Sequence, residues 1–405
     1  MLTSAGHLTY CTNIHPGDDW SSHFLALKEN FPLIKNELSP SAPMGIGLRV
    51  SYQASKELSG SAKLEEFKDW LIQEDAYVFT INGFPYGEFH HTEVKDHVHS
   101  PDWTTPKRLS YTLDLVTILS RLLPEEMDGG ISTSPLSYRY WFENEEEREK
   151  AMHASTRNII EVVEQMKRVK ESTSKVLHLD IEPEPDGLLE TGAEFMDWYE
   201  NYLLPIGKLD LSNKLGISAS DAENIIKEHV RLCYDVCHFA LGYENHATVI
   251  KQLAVKGIKI GKLQISAALK AALPERMEDR SSFKAAFSSY NEPIYLHQVI
   301  ALKDNGALLR YRDLPDALED MDNMDVKEWR AHFHVPIFEN DFGILQSTQA
   351  DIIEVLTIQE ELQLTKHLEV ETYTWGVLPT ELKLPIHQSI VRELRWVLPL
   401  LEKGF

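Results

Sequence analysis

The stretch Val230-Arg-Leu-Cys-Tyr-Asp-Val-Cys-His-Phe-Ala-Leu-Gly-Tyr243 decides how the rest of the chain is read. Val230, Leu232 and Tyr234 alternate with Arg231, Cys233 and Asp235, the period of a β-strand. The apolar run stops at Asp235 and His238, and a helical run with a Gly-Tyr break follows. A carboxylate and an imidazole at the end of a buried strand can converge on one metal ion or one substrate oxygen. An ionised Asp there is costly unless a positive group meets it. The plainer alternative is an Asp that caps the next helix and a His at the surface.

Outward from this stretch, strand and helix patterns alternate along the whole chain. Strands are predicted at 8–15, 45–52, 77–84, 130–136, 175–184, 230–235, 258–266 and 367–373. Helices are predicted at 20–38, 63–73, 107–127, 145–170 and 386–402, with Pro106 suited to a first turn. A further extended piece covers 331–338. Eight strands, most of them followed by a helix, predict an α/β fold: a (β/α)8 TIM barrel with long inserted loops. The 405 residues exceed a minimal barrel. The surplus falls near 203–228 and 269–327, read as polar helices and loops within a single domain, 1–405. A doubly wound open sheet with a helical cap is the alternative.

The strand frame sorts residues by face. His178, Asp180, Glu182 and Glu184 lie opposite Leu177, Leu179 and Ile181. Lys262, Gln264 and Ser266 oppose Leu263 and Ile265. Glu369 and Glu371 oppose Leu368 and Val370. Thr80 and Asn82 share a face, as do Cys11, Asn13 and His15. Helices separate the strands, so parallel pairing is expected, with apolar faces outward and the polar set inside the barrel. Carboxylates and histidines facing one interior cannot all stay ionised without a cation. A divalent metal resolves the conflict, and zinc or manganese suits mixed oxygen and imidazole donors better than calcium. Pairing of the carboxylates with Arg49 and Lys262 is the alternative.

Composition bounds the function. Apolar residues make up 43% and charged residues 25%, both ordinary for a globular protein. No apolar run approaches the roughly 18 residues of a membrane span. No secretory signal is visible, and three cysteines give neither a disulfide framework nor a CxxC pair, so a cytoplasmic location is expected. A net charge of −23 repels nucleic acid, so no nucleic-acid partner and no membrane insertion are expected.

Cys233-Tyr-Asp-Val-Cys-His-Phe-Ala-Leu-Gly-Tyr243 resembles the metal-binding signature of endonuclease IV barrels. It also resembles the Asp-x-x-His element of sugar isomerases and epimerases in the xylose-isomerase-like TIM-barrel superfamily. Leu179-Asp-Ile-Glu-Pro-Glu-Pro185 resembles the strand that supplies a bridging carboxylate, at Glu182. Leu263-Gln-Ile-Ser266 stands where that superfamily usually has a metal-binding His, so Gln264 is a departure that keeps an oxygen donor. His332-Phe-His334 resembles a metal-binding element before the last strand, and Leu368-Glu-Val-Glu-Thr-Tyr373 resembles that strand, with Glu371 the better match than Glu369.

The resemblance implies metal ligands at Glu182, Asp235, Gln264, Glu371, His332 and His334. It implies Glu182 and Glu371 as a proton-transferring pair, with metal-assisted enediolate chemistry. Substrate contacts are expected from His238, His15 and Asn82, with Tyr86 a further pocket candidate. His90 and His91 are weaker metal candidates. The pattern including Tyr10-Cys-Thr-Asn-Ile-His-Pro-Gly17 and Thr80-Ile-Asn-Gly-Phe-Pro-Tyr-Gly87 is similar to the EboE-type metabolite-traffic proteins, which implies a small-molecule metabolite and partner proteins from the same pathway. Two other classes compete: a non-catalytic carrier barrel, and a metal-dependent phosphodiesterase of the endonuclease IV kind.

Overall fold

The computed structural model describes residues 1–60, 62–87, 94–372 and 384–402. Its central sheet contains β1 (Gly6–Tyr10), β2 (Met44–Arg49), β3 (Ala76–Asn82), β4 (Gly129–Thr133), β5 (Leu177–Ile181), β6 (Val230–Asp235), β7 (Ile260–Ile265) and β8 (His367–Val370). Hydrogen-bonded neighbours run β1-β8-β7-β6-β5-β4-β3-β2, every pair parallel. A parallel bridge between Cys11 and Gly47 brings β1 against β2 and nearly closes the ring. The short strand Leu2–Thr3 adds antiparallel to β1. This is a TIM barrel, and the open doubly wound sheet is excluded by the contact of its two edges.

The sequence periods locate most elements. β6 and the helix Trp20–Leu38 have the expected bounds, and the helix Pro106–Leu122 does begin at its proline. The first strand is shorter than predicted because Thr12–Ile14 turn into a 3-10 helix. The last ends at Val370, and Tyr373 lies outside the described residues. The region 203–228 forms two helices, Leu204–Leu215 and Ala219–His229, packed on the long helix Glu145–Thr173.

The larger insertion departs from its sequence reading. Besides the helices Met277–Ser288 and Leu314–Glu319, 269–347 contributes an unexpected six-stranded antiparallel sheet. Val326–Ala331 pairs with Val299–Lys303 on one side and with Leu269–Ala272 on the other. These strands are short and only partly covered, so their alternation is hidden among polar residues. Trp329, packed on Phe287, is their buried anchor. The extended piece predicted at 331–338 is the chain leaving this sheet and returning over the barrel, where Val335 N donates to Ala267 O.

Inside the barrel the polar residues stack in storeys. Lys262 Nζ on β7 reaches Ser132 Oγ on β4 at 2.9 Å and Glu369 Oε1 on β8 at 2.7 Å, so it crosses the interior. Asp180 shares this level, and His178 and His367 lie below it, toward the strands' N-terminal ends. Leu177, Leu179, Ile181, Leu263, Ile265 and Leu368 face outward and are buried. Two glycines make room for the middle storey: a Cβ on Gly261 would stand 1.8 Å from Asp180 Oδ1, and one on Gly47 would stand 1.9 Å from Glu369 Oε2. Any side chain there displaces a buried carboxylate.

The final helix, Ile386–Leu401, ties two segments of the barrel mouth together through buried Glu393. Its Oε1 accepts from Thr372 Oγ1 at 2.7 Å and from Ile337 N at 3.3 Å. Burial pushes the Glu393 carboxyl up to about 8, against the pull of these two donors. A carboxyl raised in the fold contributes stability that is fully present below its unfolded value and is lost as pH rises through about 8. Glu393→Gln keeps the acceptor and removes the titration. Thermal melts should show the variant close to wild type at pH 5 and more stable at pH 9, by about 3 kcal/mol. Parallel pH profiles for the two proteins would refute this.

Candidate metal centre

β5, β6, β7 and β8 end together at one face of the barrel, where active sites of this fold are built. Each strand, or the residues directly after it, delivers one inward polar side chain: Glu182, Asp235, Gln264 and Glu371. All four are buried. Gln264 Nε2 donates to Glu182 Oε1 at 2.9 Å, to Asp235 Oδ2 at 3.0 Å and to Glu371 Oε2. Its Oε1 accepts from the Cys233 thiol at 2.8 Å. The three carboxylates offer ligand oxygens within 4.8 Å of one another.

Asp235 also caps the helix Val236–Leu241, accepting from His238 N at 3.1 Å, so the plainer capping role holds alongside. The same Oδ1 accepts from Ser266 Oγ at 2.7 Å. His238 is not at the surface, since it is only 5% exposed. Its Nδ1 donates to Pro183 O at 2.9 Å, and its Nε2 lies 3.1 Å from His332 Nε2. His332 Nδ1 lies 2.8 Å from Gln298 Oε1, an acceptor that fixes the proton on that nitrogen. In their neutral forms the two rings thus aim lone pairs at each other, an arrangement that calls for a proton or a cation between them. His334 approaches Glu371, its Nδ1 lying 3.1 Å from the backbone oxygen. Asp235, His238 and His334 form a second group whose ligand atoms lie within 4.8 Å.

Charges at the site are divided unequally. Burial first, then Glu371 and Asp235, push Glu182 well above the usual carboxylate value. Burial and Asp235 raise Glu371 to about 8. Burial acts the same way on Asp235, but His238, His334 and the Ser266 hydroxyl outweigh it and hold that carboxyl low. Burial holds His332 well below the ordinary imidazole value.

A cavity of about 70 Å³ opens above these groups. Asn13, Asn82, Glu182 and Glu371 form its floor, with His238, His332 and His334 at its side. Tyr295 and Gln298 enter from the inserted sheet's side. The space suits a few water-sized groups or a small polar ligand.

Asn82 donates to Glu371 Oε1 at 3.1 Å, and Asn13 donates to the same oxygen at 2.7 Å. Asn13 has the inward face that the strand frame gives it, but no motif marks it as a site residue. Gln298 and Tyr295 give no sequence signal, because they belong to the insertion. His15, expected in the pocket, lies away from this lining. The turn at Thr12–Ile14 sends it into the core, where its Nε2 meets Tyr10 Oη at 3.1 Å. Tyr86 stacks on Tyr52 outside the cavity. Arg49, the alternative partner of the carboxylates, instead pairs with Asp18, whereas Lys262 does pair with Glu369. His90 and His91 lie outside the described residues.

Among the described residues no helix is long and apolar enough to cross a membrane. No family model matches the chain, and no curated protein matches it. Solved structures do resemble it. A xylose isomerase-like TIM barrel protein from Mycobacterium smegmatis, in complex with magnesium, is 9% identical with a TM-score of 0.49, over 99% of this chain and 98% of that one. The IolI protein with a binding zinc atom is 12% identical with a TM-score of 0.48, over 98% of this chain and 99% of the other. The probable 3-DHS dehydratase AsbF from Bacillus anthracis is 10% identical with a TM-score of 0.46, over 97% and 98%. The fold itself rests on the strand order above; the structural neighbours it has include xylose isomerase-like TIM barrels.

Proposed function

We propose that the protein is a metal-dependent enzyme that moves a proton on a small polar metabolite, a sugar, polyol or related compound, with isomerase or epimerase chemistry. The observation that carries this reading is the convergence of Glu182, Asp235 and Glu371 beneath a small cavity at the C-terminal mouth of the barrel. The donor set fits a divalent ion: Glu182 Oε2 is buried with no hydrogen-bond partner among the described residues. Three crowded carboxylates share one neutral amide, which compensates them poorly. Glu182, Asp235 and Glu371 would hold zinc or manganese, joined by Gln264 after its amide turns over, with His332 and His334 above.

A bound ion would supply Lewis acidity toward a substrate carbonyl or hydroxyl. Asn13 and Asn82 fix the Glu371 carboxyl, and His238 presents Nε2 to the cavity side. The inserted sheet limits access of water to the site. In this reading Glu182 and Glu371 take and return a proton on carbon.

Gln264 favours a second reading. Its Nε2 donates to all three carboxylates from the position a metal would share. A carrier barrel that recognises a metabolite without turning it over suits that arrangement, and it accords with the resemblance to metabolite-traffic proteins. A nuclease role is disfavoured by the charge of −23.

Elemental mass spectrometry of wild type beside Asp235→Ala tests the metal reading. Asp235→Ala is expected to hold about one equivalent of zinc or manganese less than wild type. Metal content that ignores the substitution, or a wild type that takes up no ion at this site, would leave the carrier reading, tested by a co-purifying metabolite that survives long incubation unchanged.

A further inference from the structure

At the opposite end of the barrel, the lowest inward storey brings together groups that the proposed function does not use. His178 is near the start of β5 and His367 is the first residue of β8. β5 and β8 are not neighbours in the ring, so the two imidazoles meet across the interior, their centroids 5.0 Å apart. Asp128, just before β4, completes the group. His178 Nε2 stands 3.6 Å from Asp128 Oδ2, and His367 Nε2 stands 3.3 Å from Asp128 Oδ1. The ligand atoms of all three residues lie within 4.8 Å of one another.

We propose that Asp128, His178 and His367 form a second divalent-metal site, of the zinc class, at the N-terminal end of the barrel. The tautomer of His178 carries the argument furthest. Its Nδ1 is 2.6 Å from Asp180 Oδ1, a carboxylate that takes the ring proton. This leaves a lone pair on Nε2, aimed at the lone pairs of Asp128. Such a contact is repulsive until a cation stands between them. A carboxylate behind a histidine is the usual support of a metal-ligating imidazole.

The distances agree. Ligand atoms held about 2.0–2.1 Å from a tetrahedral zinc lie about 3.3–3.5 Å from each other. The imidazole-to-carboxylate separations, 3.3 Å to one Asp128 oxygen and 3.6 Å to the other, lie at or just beyond that edge and exceed ordinary hydrogen bonds. Neither His178 Nε2 nor either ring nitrogen of His367 has a hydrogen-bond partner among the described residues, although both side chains are almost fully buried.

The surroundings supply support and an entry path. Arg231 Nη1 donates to Asp128 Oδ2 at 2.9 Å and fixes the carboxylate. Asp128 borders an open groove of about 740 Å³ that Thr365 and Lys366 also line. A metal here would clip β5 to β8 across the base of the barrel, far from the mouth, and its role would be structural.

Zinc content and melting temperature of Asp235→Ala, which lacks the upper centre's core ligand, test this against the double variant Asp235→Ala/His367→Gln. Each protein is stripped with chelator, reloaded with zinc and desalted. The single variant should keep about one zinc and melt about 3 °C higher at a zinc concentration near 100 times Kd. The double variant should keep none and show no shift. Asp128→Asn, on a partly exposed loop, replaces His367→Gln if the latter does not fold, with the same loss expected. A single variant that keeps no zinc, or zinc undiminished by the lower-site change, overturns the proposal. The upper and lower readings fail separately: zinc lost only on the His367 change removes the upper one and leaves this one standing.

Discussion

Lys262→Met should lower the stability of the protein by about 3–5 kcal/mol, read from the midpoint of urea unfolding. Lys262 and Glu369 are both fully buried, joined at 2.7 Å inside the barrel. Burial works against the ammonium charge, but Glu369, by its charge and its hydrogen bond, outweighs it and keeps the lysine charged. Removing the lysine leaves Glu369 uncompensated, with Oε2 already lacking a hydrogen-bond partner among the described residues. It also strips Ser132 of its donor. The effect spreads upward, because Lys262 is a favourable charge for both Glu182 and Glu371. The double variant Lys262→Met/Glu369→Leu removes both charges and should recover most of the loss. A single variant that costs under about 1 kcal/mol, or a double variant no better than the single one, would contradict this account.

Glu371→Gln should cut turnover of the proposed substrate class by about 10²–10⁴-fold. The substitution keeps the oxygen that accepts from Asn13 and Asn82, so the side chain stays in place. It sets an amide NH₂ against the Gln264 NH₂ and removes both a carboxylate ligand and a proton carrier. Glu182→Gln is the milder companion: its Oε1 still accepts from Gln264, and the new NH₂ replaces an oxygen that had no partner. Incorporation of solvent deuterium into a panel of sugars and polyols, followed by NMR, reads proton transfer whichever product forms. Exchange by wild type that both variants suppress supports the enzyme reading. Exchange unchanged in Glu371→Gln refutes the assigned role. No exchange by metal-loaded wild type, with a metabolite still bound, favours the carrier.

The sequence by itself determined the barrel and the side chains that face its interior. Period-two alternation in Leu177–Ile181, Ile260–Ile265 and His367–Val370 separates an apolar outer set from a polar inner one, because strand side chains alternate strictly. Asp235 and His238 stand out at a strand end for the same local reason. Tertiary structure alone decided which inner residues meet. Closure and register set His367 against His178 and Lys262 against Ser132, contacts between strands that are not neighbours and that no local spacing encodes. The amide of Gln264 is aimed by the Cys233 thiol and three carboxylates at once. The turn after β1 carried His15 away and left Asn13 at the site. The inserted sheet, built from short and half-covered strands, has too weak a period to be read, yet it brings Gln298 to His332 and helps enclose the cavity. Local periodicity records which face a residue takes, and only long-range pairing decides what stands opposite it.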